Sequence, residues 1–456
     1  MKGFLFICLI LIHLFDVSAL DINGSAPGYE GKFARLYLVS DFISFHEQKV
    51  DVVKIGVDGN FILKCQLSQA KLLKIKISDI SLSLIATPEM NLHLKLTYDE
   101  DLNLGRVYDK SFTVEILDNS DFDINESIWE YQKSYAAFLE ENHSLLVTKK
   151  ILPEVHKFQI EMQNKYATRS AEYFRTYLEY DLAALEDAVL GSERTLYDVY
   201  IRDRGLLYHN MGYMAFFTQF YQQRFIQISH GKQGFELLSS VNGTQDYDKL
   251  KGIVREHEFA GNDTITELFI IQGLKEVYGD ETFKKQKVLS MLKYISNHGI
   301  NTENQRIAAN IVKKLTFLLK GSEAPNFNLR DISENVHHLS EQRKNVLLFF
   351  WSVNSPTCLR EMQFLEEYKE KYSENLVVIG INIDDNVDKA ENYMMKQRYT
   401  WLSLYKDRQN DVTDKYRVYG VPMYVLMDDR LHILQYPAKR PEENLESVLF
   451  RLSSEH

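Results

Sequence analysis

The sequence predicts a multidomain protein with three successive folds: an N-terminal antiparallel β-sandwich, a middle all-α helical region and a C-terminal α/β domain. With 456 residues the chain is two to three times the length of an ordinary domain. Its apolar residues first fall in short β-type runs, then recur three and four positions apart, and finally form buried runs between helical segments. We place the three domains at residues 21–117, 127–319 and 321–456.

The composition indicates a folded protein and argues against a nucleic-acid partner. Hydrophobic residues make up 45% and charged residues 26%, as in ordinary globular domains. The 53 Lys and Arg residues are outnumbered by 64 Asp and Glu residues, which gives a formal net charge of -11. Because nucleic-acid binders normally present a basic face, no nucleic-acid partner is expected.

Residues 1–19 are predicted to be a cleaved signal peptide. Lys2 precedes an apolar run over residues 3–15, and Val17-Ser18-Ala19 offers the small residues that a signal peptidase prefers. A retained membrane anchor is the alternative, but it needs about 18 apolar residues and Asp16 ends this run. No transmembrane segment is expected after cleavage, and the mature chain keeps two distant cysteines, Cys65 and Cys358, which do not form a disulfide scaffold.

The first domain is predicted from short runs of β-branched and aromatic residues separated by turn residues, of which Asp58-Gly59 is a hairpin signal. Cys65 lies in one of these runs, where a small buried hydrophobe is the favoured interpretation. The predicted strands cover residues 33–39, 50–55, 60–66, 71–77, 92–98 and 112–116.

A polar, acidic linker over residues 118–126 separates these strands from about eight predicted helices. The helices contain a dense aromatic patch, for which a helix core is favoured over a ligand pocket. No metal site or cofactor is expected, because the histidines of this region lack partners at metal-ligand spacing. The aromatic patch comprises Tyr208, Tyr213, Phe216, Phe217, Phe220 and Tyr221.

In the third domain, strands alternate with helices. The apolar run over residues 346–351 is typical of a strand that is buried on both faces. The remaining pattern predicts helices over 355–372, 387–396 and 442–452 and strands over 376–383, 402–405, 424–427 and 431–435.

Three motifs in this domain carry a resemblance. The first strand ends in Phe350-Trp351 and is followed by Ser355-Pro356-Thr357-Cys358-Leu359-Arg360-Glu361-Met362; the segments 321–327 and 419–428 supply the other two motifs. In this order they resemble the thioredoxin superfamily, specifically exported thiol-disulfide oxidoreductases of the TlpA/ResA type, related to the AhpC/TSA proteins. The resemblance covers about the last 135 residues and implies a thioredoxin-like fold.

One position departs from the family pattern. The family has Cys-x-x-Cys, with its attacking cysteine at the helix N-terminus, where the helix dipole stabilises a thiolate. Here that position holds Ser355, which cannot form a disulfide, and only Cys358 remains. Serine is also a favoured N-cap and Pro356 suits the first helical position, so the helix can persist without the chemistry.

The resemblance also implies roles for further residues. Cys358 and Glu361 are the candidate catalytic residues, since Glu361 matches an acidic residue that influences thiol ionisation; a solvated helix carboxylate is the alternative for Glu361. Pro422 matches the family's cis proline, whose loop presents backbone groups to an extended substrate segment. The candidate partner-binding residues are Ser355, Pro356, Trp351, Val421 and Pro422.

Three functions remain open. The first is a cell-envelope thioredoxin-like protein that lacks two-cysteine exchange and binds a protein or peptide partner at the Ser355/Pro422 surface, or acts through Cys358 alone. The second is a one-cysteine thiol peroxidase, although Trp351 stands where a peroxidase has proline. The third is a non-catalytic envelope adaptor. The domain order resembles exported proteins of Bacteroidetes-type bacteria, which implies the periplasm or envelope of a Gram-negative cell.

Overall fold

The chain forms two compact units, residues 1–314 and 315–456. The predicted signal peptide lies outside the described part of the chain except for Ser18 and Ala19, as does most of the predicted linker. The first unit contains both the predicted strand region and most of the predicted helical region. The division into three domains stays a prediction. This computed structural model describes residues 18–78, 80–88, 90–100, 110–117, 123–148, 150–169, 171–189, 191–384, 387–406 and 412–454.

The strands of the first unit form one hydrogen-bonded sheet in the order β3-β2-β5-β6-β8-β7-β1-β4. Its edge strands approach each other, because Asp51 of β3 accepts a hydrogen bond from the backbone of Lys64 in β4 at 2.7 Å. The sheet therefore nearly closes, and the predicted antiparallel sandwich is not confirmed. The strands are β1 (Ser18–Ser25), β2 (Phe33–Val39), β3 (Glu47–Lys54), β4 (Asn60–Leu67), β5 (Lys71–Ile77), β6 (Ile80–Ala86), β7 (Leu92–Tyr98) and β8 (Lys110–Ile116).

Short runs of β-branched and aromatic residues predicted six of these strands but not how the sheet closes. One buried face is common to sandwiches and to nearly closed sheets, so the pattern does not separate them. The sequence analysis did not identify β1 and β6. The β5–β6 turn contains Ser78 at a φ of 56°, where no glycine or asparagine signals a turn. Two pairings, β1 with β7 and β6 with β8, are parallel.

The helices of the first unit bury the predicted aromatic patch. Five of its six residues lie on α6 and are almost fully buried, whereas Tyr208 precedes α6 and is half-buried. The helices are α1 (Asp123–Glu141), α2 (His143–Val147), α3 (Leu152–Lys165), α4 (Glu172–Ala188), α5 (Glu193–Tyr200), α6 (Met211–Tyr221), α7 (Arg224–His230), α8 (Gly234–Leu238), α9 (Tyr247–Arg255), α10 (Asp263–Glu276), α11 (Lys285–His298) and α12 (Thr302–Thr316), with a π-helical turn at Ser239–Thr244 and a 3-10 turn at Val277–Gly279.

A buried polar network joins the strands to the helices of the first unit. Asp41 follows β2 and accepts from the backbone N–H and the hydroxyl of Ser44, each at 2.6 Å, and from Nδ2 of Asn310 on α12 at 2.8 Å. Lys314 donates to the Ser44 carbonyl at 2.7 Å. The loop after β2 is therefore anchored on the helices through satisfied polar groups.

The second unit is an α/β domain whose sheet has the order β10-β9-β13-β12-β11-β14-β15. Strand β11 is central: it pairs parallel with β12 and antiparallel with β14. The elements are β9 (Asn328–Arg330), β10 (Val336–His338), a 3-10 turn (Leu339–Glu341), β11 (Asn345–Trp351), α13 (Pro356–Lys371), β12 (Leu376–Asn382), α14 (Val387–Gln397), β13 (Leu402–Tyr405), α15 (Val412–Lys415), β14 (Met423–Met427), β15 (Ile433–Gln435), a 3-10 turn (Pro441–Glu443) and α16 (Leu445–Ser454).

The predicted strands and helices of this unit are all present, with shifts of one to three residues at their ends. The three-residue strands β9 and β10 and the four-residue helix α15 were not predicted, because such short elements carry no periodicity. Within the described ranges, no helix has both the length and the apolar character that crossing a membrane requires.

Limited proteolysis tests whether the second unit folds by itself. Leu319 and Lys320 are exposed, and they precede Gly321, whose backbone N–H donates to the Ile433 carbonyl at 2.7 Å. Trypsin is expected to cut after Lys320 and to leave a resistant C-terminal fragment, identified by mass spectrometry. Degradation of the whole chain with no resistant fragment would show that residues 321–456 do not form an independent domain.

Candidate active site

Strand β11 positions the candidate site. All seven of its residues are buried, because Leu347, Phe349 and Trp351 face one apolar cluster and the alternate residues face another. The strand ends at Trp351, which lies opposite Asn382 at the end of the parallel strand β12. The chain then turns through residues 352–354 into α13, so the helix begins at the carboxyl edge of the sheet.

Asp384 holds this turn in place. Its carboxylate accepts from the Ser352 hydroxyl at 2.5 Å and from the Val353 N–H at 2.7 Å, and it also accepts from the side chains of Asn354 and Asn382. Although burial opposes it, these hydrogen bonds together lower the pKa of Asp384. The sequence analysis did not identify this residue; its place just after β12, beside β11, was the available signal.

Ser355 caps α13. Its backbone is extended, and its Oγ accepts from the N–H of Cys358 at 3.4 Å, while Pro356 takes the first helical turn. This is the N-cap arrangement that the sequence predicted. The hydroxyl is therefore engaged in capping the start of the helix, and Pro356 beside it is exposed.

Cys358 lies inside the domain. Its side chain is 0% exposed and belongs to the apolar cluster that contains Trp351 and Met362. Burial raises the pKa of the Cys358 thiol, and the carboxylates of Glu361 and Asp384 act in the same direction, while hydrogen bonds from Ser355 and Ser352 only partly oppose them. The thiol stays protonated at neutral pH and has little access to a reagent.

Glu361 is 0% exposed, one turn beyond Cys358. Tyr424 of β14 donates to its Oε2 at 2.9 Å, and Arg440 donates to its Oε1 from Nε at 2.8 Å and also from Nη2. The solvated-carboxylate alternative for Glu361 is wrong, because the carboxylate is enclosed and paired. Burial raises the pKa of Tyr424, and the charge of Glu361 and its hydrogen bond with Tyr424 raise it further. Arg440 lies 79 residues away, and no motif in the sequence indicated it.

The Val421–Pro422 peptide bond is cis, as the resemblance implied. Both residues are half-buried and precede β14, whose Met423 pairs with Phe350 near the end of β11. Val421 packs against the cluster that contains Cys358, and Tyr419 just before it is 81% exposed. The structure thus brings the Val421–Pro422 loop to the region of α13, whereas Trp351, another predicted binding residue, is fully buried.

Comparison with known proteins identifies the family. The AhpC/TSA family model matches residues 320–436. Thiol-disulfide oxidoreductase ResA of Geobacillus kaustophilus is 29% identical over 154 residues, which cover 33% of this chain and 88% of the relative. ResA of Geobacillus thermodenitrificans is 30% identical over 147 residues, which cover 32% of this chain and 84% of the relative. The chain is a ResA-like member of the thioredoxin superfamily.

The AhpC/TSA match lies within the second unit. A solved structure similar to it is the thioredoxin domain of a thiol-disulfide oxidoreductase from Bacteroides vulgatus, 21% identical, which covers 28% of this chain and 95% of that domain at a TM-score of 0.27. The matched residues 320–436 include Ser355, Cys358, Glu361 and Pro422, but they end before Arg440. Within the described residues, no group of three or more His, Cys, Asp or Glu side chains could hold a metal ion.

The rate of alkylation tests whether the Cys358 thiol is enclosed. With iodoacetamide, Cys358 of the native chain is expected to react slowly at pH 7 and to accelerate only above the usual thiol range, because burial raises its pKa. Peptide mapping by mass spectrometry gives the rate, and the same chain unfolded in urea provides the ordinary thiol as a control. Rapid native labelling below neutral pH would contradict the enclosed thiol.

Substitution of Arg440 tests the buried ion pair. Arg440→Met leaves the Glu361 carboxylate buried with one neutral donor, so we expect a loss of about 3 kcal/mol of unfolding free energy. Lys371→Met, which breaks an exposed pair with Glu446, is the matched control and should cost less than about 1 kcal/mol. Urea unfolding followed by tryptophan fluorescence measures both, and equal effects would show that the Glu361 pair is not a major constraint.

Proposed function

We propose that the C-terminal domain binds an extended segment of a partner protein at the surface of Ser355, Pro356, Val421 and Pro422, without two-thiol exchange. The observation that carries the proposal is the serine at the helix start: Ser355 caps α13, and the thiol of Cys358, one turn further on, is enclosed. The fold and its loop are retained, while the group that attacks a disulfide is absent.

Thiol-disulfide exchange starts when an accessible thiolate attacks a sulfur atom of a disulfide. A serine hydroxyl does not ionise near neutral pH and cannot form the mixed disulfide. Cys358 has the opposite properties from an attacking thiol, since it is buried and its pKa is raised. These properties favour binding over exchange.

Binding requires only the surfaces that remain accessible. Pro356 and Asn354 are exposed at the start of α13, and the Val421–Pro422 loop is half-buried beside an exposed Tyr419. An extended segment can form main-chain hydrogen bonds to such a loop and place its side chains against Tyr419 and Pro356. Tyrosine is also enriched among residues that dominate binding energy.

The one-cysteine peroxidase has less support. A peroxidase thiol must be reached by peroxide as a thiolate, and the burial of Cys358 opposes both requirements. In the envelope adaptor, the strand-rich and helical regions bind a partner and the C-terminal fold is structural. The leader-like residues 1–19 favour export. The order of the domains, which resembles that of exported Bacteroidetes-type proteins, favours the envelope of a Gram-negative bacterium.

Ser355→Cys tests whether only the attacking thiol is missing. The new thiol lies at the N-terminus of α13, where the helix dipole lowers its pKa, and a disulfide with Cys358 spans one helical turn. We expect insulin reduction to appear in the variant and to be absent from the native chain. The loss of the serine cap should cost about 0.5 to 2 kcal/mol.

Two controls separate chemistry from stability. Ser355→Ala removes the same cap without adding a thiol and should remain inactive. Ser355→Cys combined with Cys358→Ala should form mixed disulfides but not turn over. Strong insulin reduction by the native chain would contradict the proposal, and a folded Ser355→Cys variant that forms its disulfide yet reduces nothing would favour the adaptor.

A further inference from the structure

A cavity of about 470 Å³ lies in the first unit where the end of α4, the start of α5, the end of α6 and the start of α7 meet. Its size is within the range of small-molecule sites, about 300 to 1,000 Å³. Its walls are polar: the charged residues are Asp187, Glu193 and Arg224, and four glutamines supply most of the remaining lining. Such walls suit a ligand that forms many hydrogen bonds.

Arg224 is the cation of this cavity. Its side chain is 9% exposed, and its guanidinium lies 4.3 and 4.9 Å from the ring centroids of Phe220 and Phe259. Nε donates to the Phe220 carbonyl, and Nη1 donates to Oε2 of Glu193 at 3.3 Å. Phe220 and Glu193 both belong to the cavity wall, and within the described ranges Nη2 has no hydrogen-bond acceptor. A largely buried guanidinium therefore keeps unused donors at the cavity.

Asp187 supplies unused acceptors at the same wall. Its Oδ2 accepts from Nε2 of Gln219 at 3.0 Å, and Gln219 lines the cavity as well. An ionised carboxylate has about four acceptor sites, and this is the hydrogen bond that Asp187 accepts from the described residues. Burial raises the pKa of Asp187, against the hydrogen bond from Gln219 and the charge of Arg224, while Glu193 adds to the rise. A further donor would therefore stabilise the carboxylate.

The corner between α6 and α7 is held in place from behind by α10. Gln223 lies in this corner with a φ of 60°, and its N–H donates to Oε2 of Glu276 at 3.0 Å. Gln272, one turn earlier on α10, donates to Oε1 of the same carboxylate at 3.0 Å and to the Thr218 carbonyl at 2.6 Å. Because these contacts already fix the wall, little ordering has to accompany ligand binding.

The charges of the wall favour a ligand without net charge. An anion would pair with Arg224 but lie near the carboxylates of Asp187 and Glu193. A cation would pair with those carboxylates but lie near the buried guanidinium. A hydroxyl group both donates and accepts, so hydroxyls can satisfy Asp187 and Arg224 together without repulsion. Hydrogen bonds to ionised partners are also stronger than those between neutral groups.

We propose that this cavity binds a neutral polyhydroxylated molecule of monosaccharide size, with one hydroxyl donating to Asp187 and another accepting from Nη2 of Arg224. The amides of Gln222 and Gln227, exposed at the same wall, offer donors and acceptors to further hydroxyls. An apolar ligand fits poorly, because it would leave these polar groups unpaired. The site is independent of the function proposed for the C-terminal domain.

Glucose, galactose and mannose are the neutral probes, and each has a 2-amino and a uronate counterpart that adds one charge to the same ring. Ligand-observed NMR titrations of the full chain should show that at least one of the three hexoses binds at a single site. The 2-amino and uronate counterparts of that hexose should each bind at least about tenfold more weakly.

Two matched substitutions locate the binding site. Asp187→Asn keeps the shape of the side chain and removes its charge, so it should weaken hexose binding by about tenfold. Asp198→Asn is the control: it makes the same change on α5, at a carboxylate that pairs with Arg194 and Arg202 and does not line the cavity. This variant should bind the hexose as the native chain does.

A second measurement uses the native chain and does not depend on the folding of variants. In arginine-labelled protein, the Nε–H resonance of Arg224, assigned by its loss in Arg224→Lys, should shift on saturation with the hexose. Three results would each overturn the proposal: no hexose binding more tightly than about 10 mM, charged counterparts that bind as tightly as the neutral ring, or unchanged affinity in a folded Asp187→Asn variant. An Arg224 resonance that does not respond at saturation would place the hexose elsewhere and overturn it as well.

Discussion

The buried Glu361 carboxylate is the constraint on which the candidate site depends. A charge without solvent contact must be paired, and Arg440 and Tyr424 supply the pairing from two other parts of the domain. Helix α13, strand β14 and the segment before α16 are therefore fixed at one point, one helical turn from Cys358. Burial raises the pKa of the Cys358 thiol, and the Glu361 carboxylate adds to this effect.

The start of helix α13 is held by contacts that involve no thiol pair. The Ser355 hydroxyl accepts from a backbone N–H of the first helical turn that has no partner within the helix. Pro356 suits the position that follows. The Asp384 carboxylate independently holds the turn before the helix, because it accepts hydrogen bonds from four donors. None of these contacts needs a second cysteine, so the helix start and the Val421–Pro422 loop of this ResA-like domain can form with serine at position 355.

Much of the second unit could be predicted from sequence because its strands are continuous apolar runs and its motifs are local. Ser355, Cys358 and Pro422 were identified this way, as was the cap. Arg440 and Asp384 were not, since they reach the site only through the tertiary fold and stand in polar stretches without a motif. In the first unit, runs of β-branched and aromatic residues predicted strands but not the closure of the sheet, and the His209–Lys71 contact joins residues 138 positions apart.

The most direct test of the central claim is a glutathione redox titration of the native chain, read by intact mass and by mapping of the peptide that contains Cys358. We predict that Cys358 stays a free thiol across the whole range of glutathione potentials, with neither a glutathione adduct nor a link to Cys65, because it is enclosed and has no partner cysteine at Ser355. A reversible adduct or disulfide at Cys358 that follows the glutathione potential would contradict a domain that binds without thiol exchange.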